Sequence, residues 1–176
     1  EKYSEAREKA SDFARLEELF FDVCFRSPDL FYSFHEEENQ KVENMLREME
    51  VIHFKLDSPV SQFLTLSSKL SIRLNPFNDQ DLSVYGEDLN KLYKLYINTP
   101  LQFRYPDCRF AIYALFNKFY YLTGDSKKFD ESLLQLKSYV QTIKGYRMYE
   151  NAYFYYLFIN TKNLLNRRLY TSASNF

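Results

Sequence analysis

The chain has 176 residues, 45% of them hydrophobic and 27% charged, with a formal net charge of −1, a balance that argues against a largely disordered protein and leaves enough apolar material for an ordinary core. Its 17 Phe and 16 Tyr stand against no Trp and only 3 Gly, which speaks against a turn-rich β fold and for packed helices. Charge is unevenly placed: residues 1–57 hold 8 Lys and Arg against 15 Asp and Glu, a net of −7, whereas residues 137–176 hold 6 against 1, a net of +5.

Met148 to Thr161, the longest nearly uncharged run, contains Glu150 and two Asn and is too short to span a bilayer. The chain opens Glu1-Lys2-Tyr3-Ser4, without an initiator Met or a leader's apolar run, so a piece of a longer protein is expected. Cys24 and Cys108 form neither a CxxC pair nor a disulfide framework. Reduced, buried thiols in the cytoplasm are expected.

Apolar residues at three- and four-residue steps mark the first helix: Tyr3, Ala6, Ala10, Phe13, Leu16, Phe20 and Val23. Ser27-Pro28-Asp29 reads as its stop and as the start of a second segment. That segment opens on Leu30, Phe31 and Phe34 and continues through Val42, Met45, Leu46, Met49, Ile52 and Leu56, as one bent helix or two. Asp57-Ser58-Pro59 repeats the capping chemistry. Val60, Phe63, Leu64, Leu70 and Leu74 then mark a helix that ends at Asn75-Pro76. Leu82, Tyr85, Leu89, Leu92, Tyr93 and Tyr96 form the next stripe. Residues 99–106, with Pro100 and Pro106, read as a connector and candidate hinge.

From 107 to 144 the pattern is helix, tight turn, helix, turning at Thr123-Gly124-Asp125, with Gly145 placed to end the second helix. A last helix runs from about Arg147 to Leu169. Its Tyr153, Phe154, Tyr155, Tyr156 and Phe158 set rings on more than one face, which implies burial between neighbours or a binding surface.

Around that turn, Phe119-Tyr120-Tyr121-Leu122-Thr123-Gly124-Asp125, followed by Phe129 and Ser132, resembles the junction between helices A and B of a tetratricopeptide repeat. Phe116, Phe119 and Tyr120 resemble packing positions of the first helix; Phe129, Ser132, Leu136 and Tyr139 resemble those of the second. The likeness covers about one repeat of roughly 35 residues, and the step from Asp107 to Arg147 is longer than the tetratricopeptide period of about 34. What it implies is an α-solenoid in the general sense: a single all-α unit over 1–176, a right-handed stack of antiparallel helix pairs with about 7 helices.

Chemistry-bearing motifs are few. His35 and His53 have no partner at metal-ligand spacing, the His35-Glu36-Glu37-Glu38 run reads as a solvated helix face, and the isolated glycines form no phosphate loop. The expectation is therefore a non-enzyme without cofactor or metal: a scaffold that binds a protein or an extended peptide, with self-association a further option. Expected contact residues are Tyr113, Asn117 and Tyr121 on one helix and Arg147, Asn151 and Tyr155 on the last. Alternatives are the ligand-sensing helical domain of a bacterial transcriptional regulator and, weakened by the near-neutral charge, an RNA-binding repeat using Lys144, Arg147, Lys162, Arg167 and Arg168.

Overall fold

The computed structural model describes residues 2–30, 36–74, 82–99, 106–145 and 149–173. Within them the chain forms seven helices and no strand: α1 (Lys2–Leu30), α2 (Glu36–Leu56), α3 (Pro59–Arg73), α4 (Ser83–Asn98), α5 (Pro106–Leu122), α6 (Ser126–Thr142) and α7 (Tyr149–Ala173).

Capping residues set several of these boundaries. The Ser58 hydroxyl accepts from the Ser61 backbone N–H at 3.1 Å, and the Ser61 hydroxyl lies 3.2 Å from the Ser58 N–H, so two orphan donors at the start of α3 are satisfied, with Pro59 in the first turn. Asp57, at φ 39°, makes the reversal between α2 and α3. Asp125 caps α6 by accepting the Lys128 N–H at 3.1 Å. Gly124 before it takes φ 72°, a left-handed conformation that costs glycine little. At the end of α4, Thr99 Oγ1 donates to the Leu95 carbonyl at 2.6 Å.

One boundary departs from the sequence reading. Helix α1 runs through Ser27-Pro28-Asp29 to Leu30. A proline in a helix forfeits one backbone donor without necessarily ending it, and here Pro28 lies inside the described helix. The expected aromatic start of the second segment, Phe31 and Phe34, lies outside the described residues, as do His35 and all of the 99–106 connector except Thr99 and Pro106.

Consecutive helices pack against each other, and α1 also meets α3, which in turn meets α5. Cross-helix pairs give the directions. Arg15 holds Glu48 and Lys55 reaches Asp12 between α1 and α2; Lys69 pairs with Glu50, and His53 meets Ser61, between α2 and α3. Between α4 and α5, Tyr93 meets Phe116 and Gly86 meets Phe119. In each case numbers rise on one helix as they fall on the other. These neighbours are antiparallel.

Two hydrophobic clusters result. The larger draws on α1 to α5, from Leu16, Phe20 and Val23 through Met49, Phe63, Leu64 and Leu92 to Cys108, Ile112 and Leu115. The smaller joins Phe110 of α5 to Leu136, Tyr139 and Val140 of α6 and to Ala152 of α7. Helix α5 is the shared wall. It is also tied to α3 where Lys118 Nζ donates to the Ser71 carbonyl at 2.7 Å.

At the centre of the larger cluster, α3 buries Ser61, Thr65, Ser67, Ser68 and Ser71. Small hydroxyl side chains let neighbouring helices approach, and they need not leave a polar group unmatched. Ser67 Oγ donates to the carbonyls of Phe63 and Leu64, and Ser71 Oγ to that of Ser68.

Candidate functional site

Helix α5 has four sides, and its 3.6-residue period assigns each a role. Cys108, Ile112, Leu115 and Phe119 face the larger cluster and α4, while Lys118 points to α3. Phe110 and Ala114 meet α7: the Tyr155 ring stands edge-on to Phe110 at 5.6 Å and its hydroxyl donates to the Ala114 carbonyl at 3.2 Å. Burial pushes the Tyr155 phenol above its ordinary pKa. Asn117 and Tyr121 face α6. What is left is Arg109, Tyr113, Phe116 and Tyr120, at steps of four, three and four residues.

That remaining face is the floor of a trough. Its four residues are half-buried or exposed. On the α4 side, Tyr93 is 45% exposed and stands edge-on to Phe116 at 6.1 Å. Phe116 in turn stacks on Tyr120 at 5.9 Å. On the α6 side, Tyr139 meets Tyr113 at 5.8 Å, and Lys128 Nζ lies 5.6 Å from the Tyr120 ring centroid. At the other end the Arg109 guanidinium sits 5.5 Å from the Tyr139 centroid and 5.9 Å from that of Tyr113. Five rings thus run between two cations, an arrangement suited to apolar and planar groups in the middle and to an anionic one at the Arg109 end.

Next to one end, Leu82, Ser83, Phe119, Tyr120, Thr123, Gly124, Asp125 and Lys128 line an open recess. Behind its Phe119 wall lies Gly86, where an added Cβ would meet Phe119 Cζ at 3.4 Å, an ordinary contact distance. Lys128 there is already paired with Asp125 at 3.2 Å.

No protein-family model, no curated protein and no solved structure matches this chain.

The expected contact residues fall differently. Tyr113 belongs to the trough floor. Asn117, expected on an open surface, is fully enclosed, 0% exposed. Its Nδ2 donates to Ser132 Oγ at 2.9 Å and to the Phe129 carbonyl at 3.4 Å, and its Oδ1 has no partner among the described residues. Tyr121 is half-buried and packs on Phe129 at 5.8 Å. The physical reason is helical drift: steps of four residues rotate by about 40° each, so 113, 117, 121 wind from the open face into the α5–α6 seam. Tyr113–Tyr139, Asn117–Ser132 and Tyr121–Phe129 are the rungs of that antiparallel hairpin.

On α7, Tyr155 turns inward to α5, as above. Asn151 lies in the first turn with its side chain outside the described set, and Arg147 lies outside the described residues altogether. Missing from the expected contact residues was the outward face of α7, where Phe154, Leu157, Phe158 and Leu165 are exposed. Their spacing of three, one and seven residues had signalled it in the sequence. Also missing were Phe116 and Tyr120, read in the sequence as packing positions, whose signal was the 4-3-4 spacing beginning at Arg109, and Tyr93 and Tyr139, which come from α4 and α6 and share no such spacing.

A Ser–His pair also invites a chemical reading. His53 Nδ1 lies 2.9 Å from Ser61 Oγ, within the distance of a nucleophile and its base. Ser61, however, is fully buried and its hydroxyl is engaged with the Ser58 carbonyl and backbone N–H, so a substrate cannot reach it in this conformation. The pair fastens α2 to the start of α3. No described helix is long and apolar enough to cross a membrane.

Proposed function

We propose that the chain is a helical-repeat scaffold that binds an extended peptide segment of another protein along the α5 trough. In this reading α1/α2, α3/α4 and α5/α6 are antiparallel pairs of a right-handed stack and α7 opens the next. Support comes from the contacts of α1 with α3 and of α3 with α5, since a stack of pairs brings every first helix against the next one. The observation that carries the reading is the ring ladder of Tyr113, Phe116 and Tyr120 between Tyr93 and Tyr139. Rings bring contact area at low side-chain entropy cost and anchor many binding surfaces.

Selection of displayed random peptides on the purified protein tests it. Enriched peptides are expected, with binding weakened at least about tenfold by the double change Tyr93→Ser and Tyr120→Ser while helical circular dichroism is retained. Failure to enrich any peptide would sink the reading. Salt separates it from RNA binding, because phosphate neutralisation makes affinity fall steeply with ionic strength and a ring-lined peptide site responds much less.

A second reading, self-association, rests on the exposed Phe154, Leu157, Phe158 and Leu165 of α7. Sedimentation equilibrium tests it: a monomer at high concentration removes it.

A further inference from the structure

The cations of this molecule are not equivalent. Lys9 pairs with Glu5, Arg15 with Glu48 and Glu18, Lys55 with Asp12, Lys69 with Glu50 and Lys128 with Asp125. Arg109, like Lys91, Lys94 and Lys137, has no carboxylate partner among the described residues, and it differs from them in what surrounds it. Its neighbours are rings: Tyr139 and Tyr113 flank the guanidinium, and its Nε donates to the Tyr113 hydroxyl at a long 3.4 Å. That contact uses one of five N–H donors.

Arg109 is exposed, and apart from the Nε contact its N–H donors have no acceptor among the described residues; donors of this kind can grip a carboxylate with two parallel hydrogen bonds. The flanking rings also keep water from one side of the group and reduce the motion that binding would have to arrest. Along the open face of α5, from Tyr113 through Phe116 to Tyr120, no acidic side chain intervenes to repel an anion. At the far end Lys128 is already neutralised by Asp125. The trough is therefore polarised, with one unmatched cation at the Arg109 end and rings beyond it.

Resting on the reading of the trough as a peptide site, we propose that it selects segments in which an Asp or Glu precedes or follows a short run of large apolar residues, the carboxylate seated on Arg109 and the apolar side chains on Tyr113, Phe116, Tyr120 and Tyr93. From Arg109 to Tyr120 the helix advances roughly 16 Å at about 1.5 Å per residue. An extended segment of about five residues spans that length at about 3.3 Å per residue. One unmatched arginine fits a carboxylate better than a phosphate group, whose three acceptor oxygens and near-double charge call for a cluster of cations.

The experiment begins with the displayed peptides described above. The strongest binder is synthesised with a fluorescent label, together with a counterpart in which its Glu or Asp is replaced by Gln or Asn. Affinities of both for the wild-type protein and for Arg109→Gln are measured by anisotropy. Selected peptides are expected to carry an acidic residue at one end of an apolar run. Each single change is expected to weaken binding about tenfold, in the range of a charge-assisted hydrogen-bonded pair, and the two together by little more than either alone. Losses that multiply, or selected peptides without an acidic residue, would overturn the carboxylate assignment and leave the peptide site standing. An absence of any enriched peptide would remove both. The change made on the peptide alters nothing in the protein, so the outcome does not hinge on how Arg109→Gln folds.

Discussion

Helices α3 and α7 reverse the usual expectation about what is buried. Helix α3 sinks Ser61, Ser67 and Ser68 as completely as Phe63, whereas α7, richer in rings, leaves Phe154 at 67% exposure. Hydrophobicity therefore does not by itself sort this molecule into core and surface. The helices around each element do: α3 is packed by α1, α2, α4 and α5, while α7 rests on α6 and, through Tyr155, on α5. Serine is tolerated inside because its hydroxyl finds a carbonyl one turn back.

The sharpest way to break this contrast is to apply one substitution to both helices. Phe63→Ala, at a ring that is 0% exposed and packs against Tyr96, should cost about 3–5 kcal/mol. Phe154→Ala should change stability by only about 0.5 kcal/mol. Urea unfolding of the two variants decides it; a large loss at Phe154 would mean that α7 is covered in solution and that the exposed stripe is an interface.

Enlarging a buried serine probes the other half. Ser67→Leu must force a branched side chain into a space filled by a hydroxyl and should destabilise by about 1–3 kcal/mol despite its greater hydrophobicity. A stabilised variant, read by the same unfolding curve, would mean that α3 is loosely packed.

Tyr155→Phe addresses the seam that holds α7. Loss of the hydrogen bond to Ala114 should cost about 1 kcal/mol at neutral pH. The pH dependence has a definite sign. With the phenol pKa raised in the folded protein and near 10 when unfolded, the folded state keeps a proton that the unfolded state releases. Stability is then lost as pH rises past about 10. The Tyr96 phenol, also raised by burial, acts in the same direction. The Tyr155→Phe variant should therefore show a shallower loss above about pH 10 than wild type, and an unchanged slope would place the Tyr155 hydroxyl in water.

The smallest effect is expected at Gly86. A methyl there meets Phe119 Cζ at 3.4 Å, ordinary contact distance, while removing the glycine penalty inside α4. Gly86→Ala should raise stability by up to about 1 kcal/mol, and a lower melting temperature would show that the α4–α5 approach has no room for it.

Much of the helical framework was readable from local signals. The Ser58-Pro59 start, the Gly124-Asp125 turn and the end of α3 ahead of Pro76 each rest on chemistry confined to a few neighbouring residues. Facing was harder. Tyr113, Asn117 and Tyr121 are plausible as a stripe at four-residue spacing, yet which side of α5 stays open depends on where α3, α4, α6 and α7 dock, and no local pattern states that. The Ser67 and Ser68 burial was hidden for a similar reason, since an amphipathic reading assigns hydroxyls to water. Arg109 carried no signal of its own, since one of its rings comes from 4 positions away and the other from 30.

Cys108 lends itself to a measurement of its own. Its thiol is fully enclosed on α5, the one helix that, among the described residues, belongs to both hydrophobic clusters. An alkylating reagent can reach that sulfur only when α5 parts from its neighbours. With Cys24 replaced by Ser, the labelling rate at Cys108 becomes a clock for that opening event. A ligand resting along the outer side of the same helix must slow the clock without touching the sulfur.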